Sequence, residues 1–383
     1  MKVILTTMAL GLGGGTDLVV LDAARAIQSR GHTVELHTVD PTDWGSLART
    51  FPEVARLPEV AWLPRREPPA HRPPSWLQRV RWYRRILSRL WHERRDRLIV
   101  NLNGDILPAP AHLTCVYFPL AASEKWPEAS PWRSSLSRRV IPPLLRLENR
   151  RSLRRAHTRV VAISTYTQEA VRAAWGVPST VVHPPVQLFL PEPPPGTRAN
   201  AIVTVASFRH RKRLDRILDV ARLVPDARFF LLGASGPESG PILADLQATA
   251  AKEGFTARMT FGLDAPRAEV EGQLWKSKIY LHPTPHEHFG ISLVEAMQAG
   301  CVPVIPRSGG QWTDILEAKD GIWGYGYDTP EEAASRIRSV LEDDALQRRM
   351  SARAQERGLQ FSRDRFRERF LNVFEEVVSS ATR

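Results

Sequence analysis

Residues 279–305 read IYLHPTPHEHFGISLVEAMQAGCVPVI. An apolar run is followed by a polar loop, an apolar helical pattern closed by Gly300, and a second apolar run rich in β-branched residues. Strand, loop, helix, glycine, strand is a β-α-β unit, and chains of such units make parallel sheets covered by helices. The unit carries two carboxylates eight positions apart, Glu287 and Glu295. Ser292 followed by Glu295 fits a capping box, which predicts Ser292 at the helix cap and Glu295 three residues on. That explains Ser292, Glu295 and Gly300, but neither Glu287 nor the Phe289-Gly290 pair ahead of the cap.

The same alternation runs outward in both directions. KVILTT at the N-terminus reads as a buried parallel strand. A glycine turn follows, then a helix from Asp17 to about Arg30 with Leu18, Leu21, Ala24 and Ile27 on one side, then the strand HTVELHTV. LIVNLN, HLTCVYF and RVVAIS continue the series, and TVVHPPV ends it in prolines. The stretch from Pro184 to Asn200 is too proline-rich for a helix or a central strand, and reads as a linker. Beyond it the alternation restarts with AIVTVAS, RLDRILDVARLV, ARFFLLGAS, ARMTFGL, KIYLHPT and CVPVIP. Two arrays predict an α/β chain of two doubly wound, Rossmann-like domains facing a cleft, over 1–190 and 200–362. A last helix from residue 363 is expected to cross back to the first domain. In such sheets ligands bind at the carboxyl ends of the strands.

At 383 residues the chain is long enough for two cores. Its net charge of +12 favours anionic partners such as nucleotide phosphates, nucleic acid or an acidic membrane surface. Seven lysines leave 46 arginines among the 53 basic residues, a bias that suits phosphate recognition and that a GC-rich genome would also produce. Two cysteines, Cys115 and Cys301, make no disulfide framework, so a reducing cytoplasm is expected. No run approaches about 18 apolar residues, so no membrane-spanning helix is predicted. The start, MKVILTTMALGLGGG, differs from a signal peptide in carrying Thr6 and Thr7 and in lacking a small-residue cleavage site.

The loop GLGGGTD (11–17) misses the dinucleotide fingerprint by one position, because Thr16 stands where the last glycine is needed. It also lacks the GK[ST] of a P-loop. Glycines at a helix start still let backbone N–H groups approach a phosphate, and the same loop serves equally as a tight turn capped by Thr16 or Asp17.

The order EHFGISLVEAMQAGCVPVIPRSGG closely resembles the donor-site signature of retaining, family-4 glycosyltransferases of the GT-B type. The likeness extends along most of the chain: GGTD to the family's first glycine loop, VVAIS and VHPPV to the end of its first domain, VASFRHRKRLDRIL to its phosphate-binding strand, loop and helix. EHFGIS, SGGQWTDIL and CVYFP are most similar to the α-1,2-mannosyltransferases that extend lipid-linked oligosaccharides. The resemblance implies a hexose, mannose from GDP-mannose, moved to an acceptor hydroxyl on a glycan or lipid-linked glycan with retention of configuration. No cofactor and no metal are implied, and the nucleotide sugar is a substrate.

On matching positions, the resemblance implies that Glu295 accepts from the donor ribose, and that Glu287 lies by the transferred sugar. Gly290, Ile291 and Ser292 would turn backbone N–H groups to the sugar and diphosphate, and Lys212 would hold the diphosphate. Gly14 and Gly15, in the first glycine loop, are read with the donor-binding residues, and the acceptor is expected near them and Tyr117. Two departures stand out: Ser207 replaces an arginine, with Arg209 or Arg211 as substitutes for its charge, and Tyr117 on the acceptor side replaces a histidine that His112 does not match. The histidines at 282, 286 and 288 invite a metal reading, but HEHFG is not HExxH and no cysteine joins them.

WLQRVRWYRRILSRLWHERRDR (76–97) carries eight arginines and three tryptophans. Trp76, Val80, Tyr83, Leu87, Leu90 and Trp91 share one helical face. That face suits either an anionic membrane surface, with the protein peripheral on the cytoplasmic side, or the packing of an outer helix on the first sheet. No nucleic-acid-binding motif accompanies it. Two alternatives remain: an NAD(P)-dependent oxidoreductase, on the glycine loop, and a non-catalytic membrane-associated scaffold of the same fold.

Overall fold

The computed structural model describes residues 1–11, 15–51, 56–62, 76–120, 122, 135–188 and 198–381. The chain divides into two compact units, Met1–Pro185 with Arg363–Arg383, and Val186–Ser362. Most of the proline-rich stretch, residues 189–197, lies outside the described residues.

Unit 1 runs β1 (Lys2–Thr7), α1 (Gly15–Ser29), β2 (Thr33–Thr38), α2 (Trp44–Thr50), β3 (Glu59–Ala61), α3 (Trp76–His92), β4 (Arg97–Asn101), β5 (Leu113–Val116), α4 (Ser135–Ala156), β6 (Arg159–Ala162), α5 (Thr165–Trp175) and β7 (Thr180–Val181). Its seven strands lie in the order β3-β2-β1-β4-β5-β6-β7, all parallel. Val3, Ile4, Leu5, Ile99 and Val100 are fully buried, as central strands covered on both faces require.

Unit 2 runs β8 (Ala199–Val205), α6 (Asp215–Leu223), β9 (Arg228–Gly233), α7 (Ser239–Lys252), β10 (Met259–Leu263), α8 (Arg267–Lys276), β11 (Ser277–Leu281), α9 (Ile291–Gln298), β12 (Val302–Pro306), β13 (Tyr325–Tyr327), α10 (Pro330–Glu342) and α11 (Asp344–Leu359). Its six parallel strands lie in the order β10-β9-β8-β11-β12-β13. Each sheet is doubly wound. The strand order reverses between β1 and β4 in unit 1, and between β8 and β11 in unit 2. Those reversals open the crevices in which such folds bind ligands.

The last helix, α12 (Arg363–Ala381), packs on α1 within unit 1. It explains why α1 is buried well beyond one stripe: Leu18, Leu21 and Ile27 are covered, and so are Val19, Val20, Ala23 and Ala26. Between the two helices the carboxylate of Asp22, wholly buried, accepts from Arg363 Nε at 2.8 Å and from Arg367 Nη2 at 2.5 Å.

The predicted apolar face of α3 is taken up by the interior of unit 1. Tyr83, Ile86, Leu87 and Leu90 are buried in one cluster with Ile4, Val39 and Ile99, and Val80 and Trp91 pack against it. The Tyr83 hydroxyl donates to Asn101 Oδ1 at 2.6 Å, fixing the helix to β4. A membrane surface through that face is therefore corrected to an ordinary outer helix: its apolar side covers the sheet, while Arg81, Arg84, Arg85 and Arg89 face solvent. The side chain of Trp76 lies outside the described residues.

Candidate active site

The chemistry-bearing residues of unit 2 gather where its strand order reverses. β8, β11 and β12 are neighbours, and their carboxyl ends release three loops. The first carries Ser207, Arg209 and Lys212, the second His282 to Gly290, the third Arg307 to Gln311. The ammonium of Lys212 forms an ion pair with Glu287 Oε2. Only 13% and 14% of the two side chains remain exposed, so the pair is shielded from water on most sides. Burial, the largest single influence, raises the Glu287 carboxyl, but the Lys212 charge together with His282 and His288 outweighs it and holds the group well below the usual carboxylate range.

Cross-bonds between loops fix this geometry. Thr284 Oγ1 donates to the Lys212 carbonyl at 3.0 Å, and Gln311 Nε2 donates to the Thr284 carbonyl at 2.9 Å. The Glu287 carbonyl accepts from the Gly310 N–H at 2.8 Å. Gly309, at φ +75°, lies so close that a Cβ there would meet the Glu287 carbonyl oxygen at 2.3 Å. Sequence SGG at 308–310 is thus the backbone that braces Glu287.

His282 completes the inner wall. It is 1% exposed, and its Nε2 stands 3.6 Å from Glu287 Oε2. Burial lowers its pKa against the pull of Glu287, and burial likewise brings His288 down to about 4, so both rings are neutral near pH 7. Among the described residues no group of three or more His, Cys, Asp or Glu side chains is arranged to hold a metal ion.

The capping box does not form. Gly290, at φ 110°, is the N-cap of α9, which places Ser292 inside the first turn. The Ser292 hydroxyl shares a 2.8 Å hydrogen bond with Tyr280, whose own hydroxyl reaches the Val205 carbonyl at 3.2 Å. Glu295 turns away from the helix start and pairs with Arg267 at 2.8 Å. The reason is positional: a left-handed cap suits Gly290, and buried partners on β11 and α8 outcompete the helix end for Ser292 and Glu295. With glycine at the cap, no cap side chain covers the first N–H groups of α9, which carry a partial positive charge.

Ser207 is partly buried and its carbonyl accepts from the Arg209 N–H at 2.9 Å, while the Arg209 side chain is exposed. Gly15 and Tyr117 belong to unit 1, at the corresponding reversal of its sheet. Gly15 opens α1, and Asp17 Oδ1 accepts from the Gly11 N–H at 3.3 Å. Gly14 lies outside the described residues. Asp105, after β4, accepts from the backbone N–H of Tyr117 at 2.6 Å and of Phe118 at 3.0 Å, and so holds the loop after β5. Burial drives the Asp105 carboxyl up to about 7 despite those two bonds. Burial, with Cys115 and Asp105 nearby, pushes the Tyr117 phenol well above its ordinary range, so it titrates nowhere near neutrality. Sequence reasoning missed Asp105, Arg267, Glu271 and Gln311. Arg267 and Glu271 show only as an ordinary helical pair at i, i+4, and nothing in the sequence reveals the contact of Arg267 with Glu295.

Both sheets and their reversals define the GT-B architecture of glycosyltransferases. HepE from Anabaena, solved with UDP and glucose, is similar over 98% of this chain and 100% of its own, with a TM-score of 0.72 and 18% identity. WaaG, a glycosyltransferase of lipopolysaccharide biosynthesis, has a TM-score of 0.70 and 16% identity over 97% and 98% of the two chains. At that identity the likeness speaks for the fold.

Residues 190–357 match the family of glycosyl transferases group 1. The GDP-Man:Man(3)GlcNAc(2)-PP-Dol alpha-1,2-mannosyltransferase of Homo sapiens is 29% identical over 239 residues, 57% of this chain and 48% of the relative. The protein of the same name from Dictyostelium discoideum is 26% identical over 246 residues, 58% and 48%. The chain thus spans about half the length of the curated relatives it matches.

Proposed function

We propose that the protein transfers a hexose from a nucleotide-sugar donor to an acceptor hydroxyl with retention at the anomeric carbon. The observation that carries the reading is the Lys212–Glu287 pair at the strand reversal of unit 2, beside the uncapped start of α9. Negative charge grows on the leaving diphosphate as the bond from C1 to oxygen breaks. An ammonium has three N–H donors, so Lys212 can hold Glu287 and still donate to phosphate oxygens. The N–H groups of Gly290, Ile291 and Ser292 add fixed positive ends. Glu287, held anionic by Lys212, orients sugar hydroxyls and offsets the positive charge that develops at C1. Glu295 accepts from the ribose, and Ser207 and Arg209 flank the diphosphate. Gly14, Gly15 and Tyr117 serve the acceptor in unit 1; the phenol of Tyr117 acts as a hydrogen-bond donor, since it does not ionise near neutral pH.

Mannose from GDP-mannose and a lipid-linked glycan acceptor are the finer reading. The names of the human and Dictyostelium relatives, together with the EHFGIS and SGGQWTDIL segments, support it. Work on a lipid-linked acceptor would bring the protein to the cytoplasmic membrane face through a surface other than the apolar side of α3.

A screen of nucleotide sugars for nucleotide release, with NAD as a control ligand, tests the reading. Release from a GDP- or UDP-hexose supports it. Tight NAD binding without turnover of any nucleotide sugar would favour the oxidoreductase, and vesicle binding without turnover the scaffold.

A further inference from the structure

Arg267 stands at the first position of α8 and links two acidic groups from different elements. Its Nε donates to Glu271 Oε1 at 2.6 Å, and its Nη2 lies 2.8 Å from Glu295 Oε1. Nη2 also donates to the Gln187 carbonyl at 3.3 Å. Glu271 is wholly buried, and only 7% of the Glu295 side chain is exposed. Among the described residues the second oxygen of Glu295, Oε2, accepts no hydrogen bond. One oxygen is thus held by Arg267, and the other is left without a hydrogen-bond partner among the described residues.

We infer that Arg267 is a positioning residue for nucleotide recognition: it fixes the Glu295 carboxylate in the orientation that accepts from the donor ribose hydroxyls, with Glu271 as its anchor. The inference rests on the reading of Glu295 as the ribose acceptor. A guanidinium is planar and its donors keep a rigid fork. Locking Nε on a buried carboxylate therefore sets the direction of Nη2, and Nη2 in turn selects one rotamer of Glu295. A lysine carries the same charge but cannot make both bonds in one plane. The residue acts through Glu295 and touches neither sugar nor phosphate.

The test compares binding of GDP or UDP, whichever binds more tightly, with its 2′,3′-dideoxy analogue, by calorimetry. In the natural protein the ribose form should bind about ten- to a hundredfold more tightly, the range of hydrogen bonds to a charged group. Arg267→Lys should cut that preference at least threefold or so while leaving affinity for the dideoxy analogue within about twofold. Glu271→Gln retains the guanidinium and loosens its anchor, so it should give a smaller loss in the same direction. It carries the test if Arg267→Lys does not fold. A folded variant that keeps the full ribose preference overturns the inference. If the natural protein shows no ribose preference, the reading of Glu295 itself fails, and the role of Arg267 with it.

Discussion

Lys212 and Glu287, 75 residues apart in the chain, meet as an ion pair over the sheet reversal of unit 2. Lys212 ends a short 3-10 turn, His210–Lys212, and neither residue belongs to an α-helix or a strand of the sheet. Each stands on a loop released by a neighbouring strand, and the two loops are tied to each other through Thr284. A pair mounted that way keeps its geometry without a ligand, which is what preorganised electrostatic stabilisation requires.

The brace behind Glu287 is directly testable. Gly309→Ala would place a Cβ against the Glu287 backbone at a left-handed φ. We expect a loss of at least about 1 kcal/mol of stability and a larger proportional loss of turnover, because Glu287 must move. Thermal unfolding and initial rates of the same preparation check it. Unchanged rates would mean that the position of Glu287 is immaterial.

Glu295→Ala should weaken nucleotide binding by about tenfold or more, with a smaller change in turnover at saturating donor. Isothermal titration with GDP and UDP measures the first quantity and a donor saturation series the second. A stability loss with unchanged nucleotide affinity would reduce Glu295 to a structural partner of Arg267.

Asp105 sets a pH dependence of stability in unit 1. Its carboxyl is raised by burial to about 7 in the folded protein, from an ordinary value near 3.8. The folded state therefore binds the proton more tightly than the unfolded state. The associated stability is complete below about pH 4 and is lost as the pH rises toward 7. Asp105→Asn should flatten the stability profile between about pH 4 and 7, read by denaturant unfolding at fixed ionic strength. A slope identical to that of the natural protein would contradict the assignment.

Asp22→Ala leaves Arg363 buried without its carboxylate and weakens the seat of α12 on α1. A loss of about 3–5 kcal/mol is expected, the usual effect of removing one partner of a buried ion pair. Donor binding in unit 2 should be little changed where the protein remains folded.

Much of the fold is legible because the period-2 and apolar runs of central strands leave little choice. β1, β2, β4, β8, β9, β11 and β12 all fall on runs that read as strands. The edge strands β3 and β13, three residues each, leave too short a pattern to see. The face of α3 shows its amphipathic character but cannot say whether sheet or lipid covers it, and burial of Tyr83 and Leu87 decides that. Within the site, Glu287 and Lys212 stand out from their loops. The capping box misled because Ser292 and Glu295 satisfy a local rule while their real partners, Tyr280 and Arg267, come from other elements. Local patterns carry no information on such long-range competition.

The most direct test of the central claim is nucleotide release from GDP-mannose and UDP-hexoses by the natural protein and by Lys212→Ala, with thermal unfolding of both. A lysine that stabilises the departing diphosphate predicts a fall in rate of about a hundredfold or more in the folded variant, with a melting temperature lowered by the loss of Glu287's partner. A variant that releases nucleotide as fast as the natural protein would contradict it.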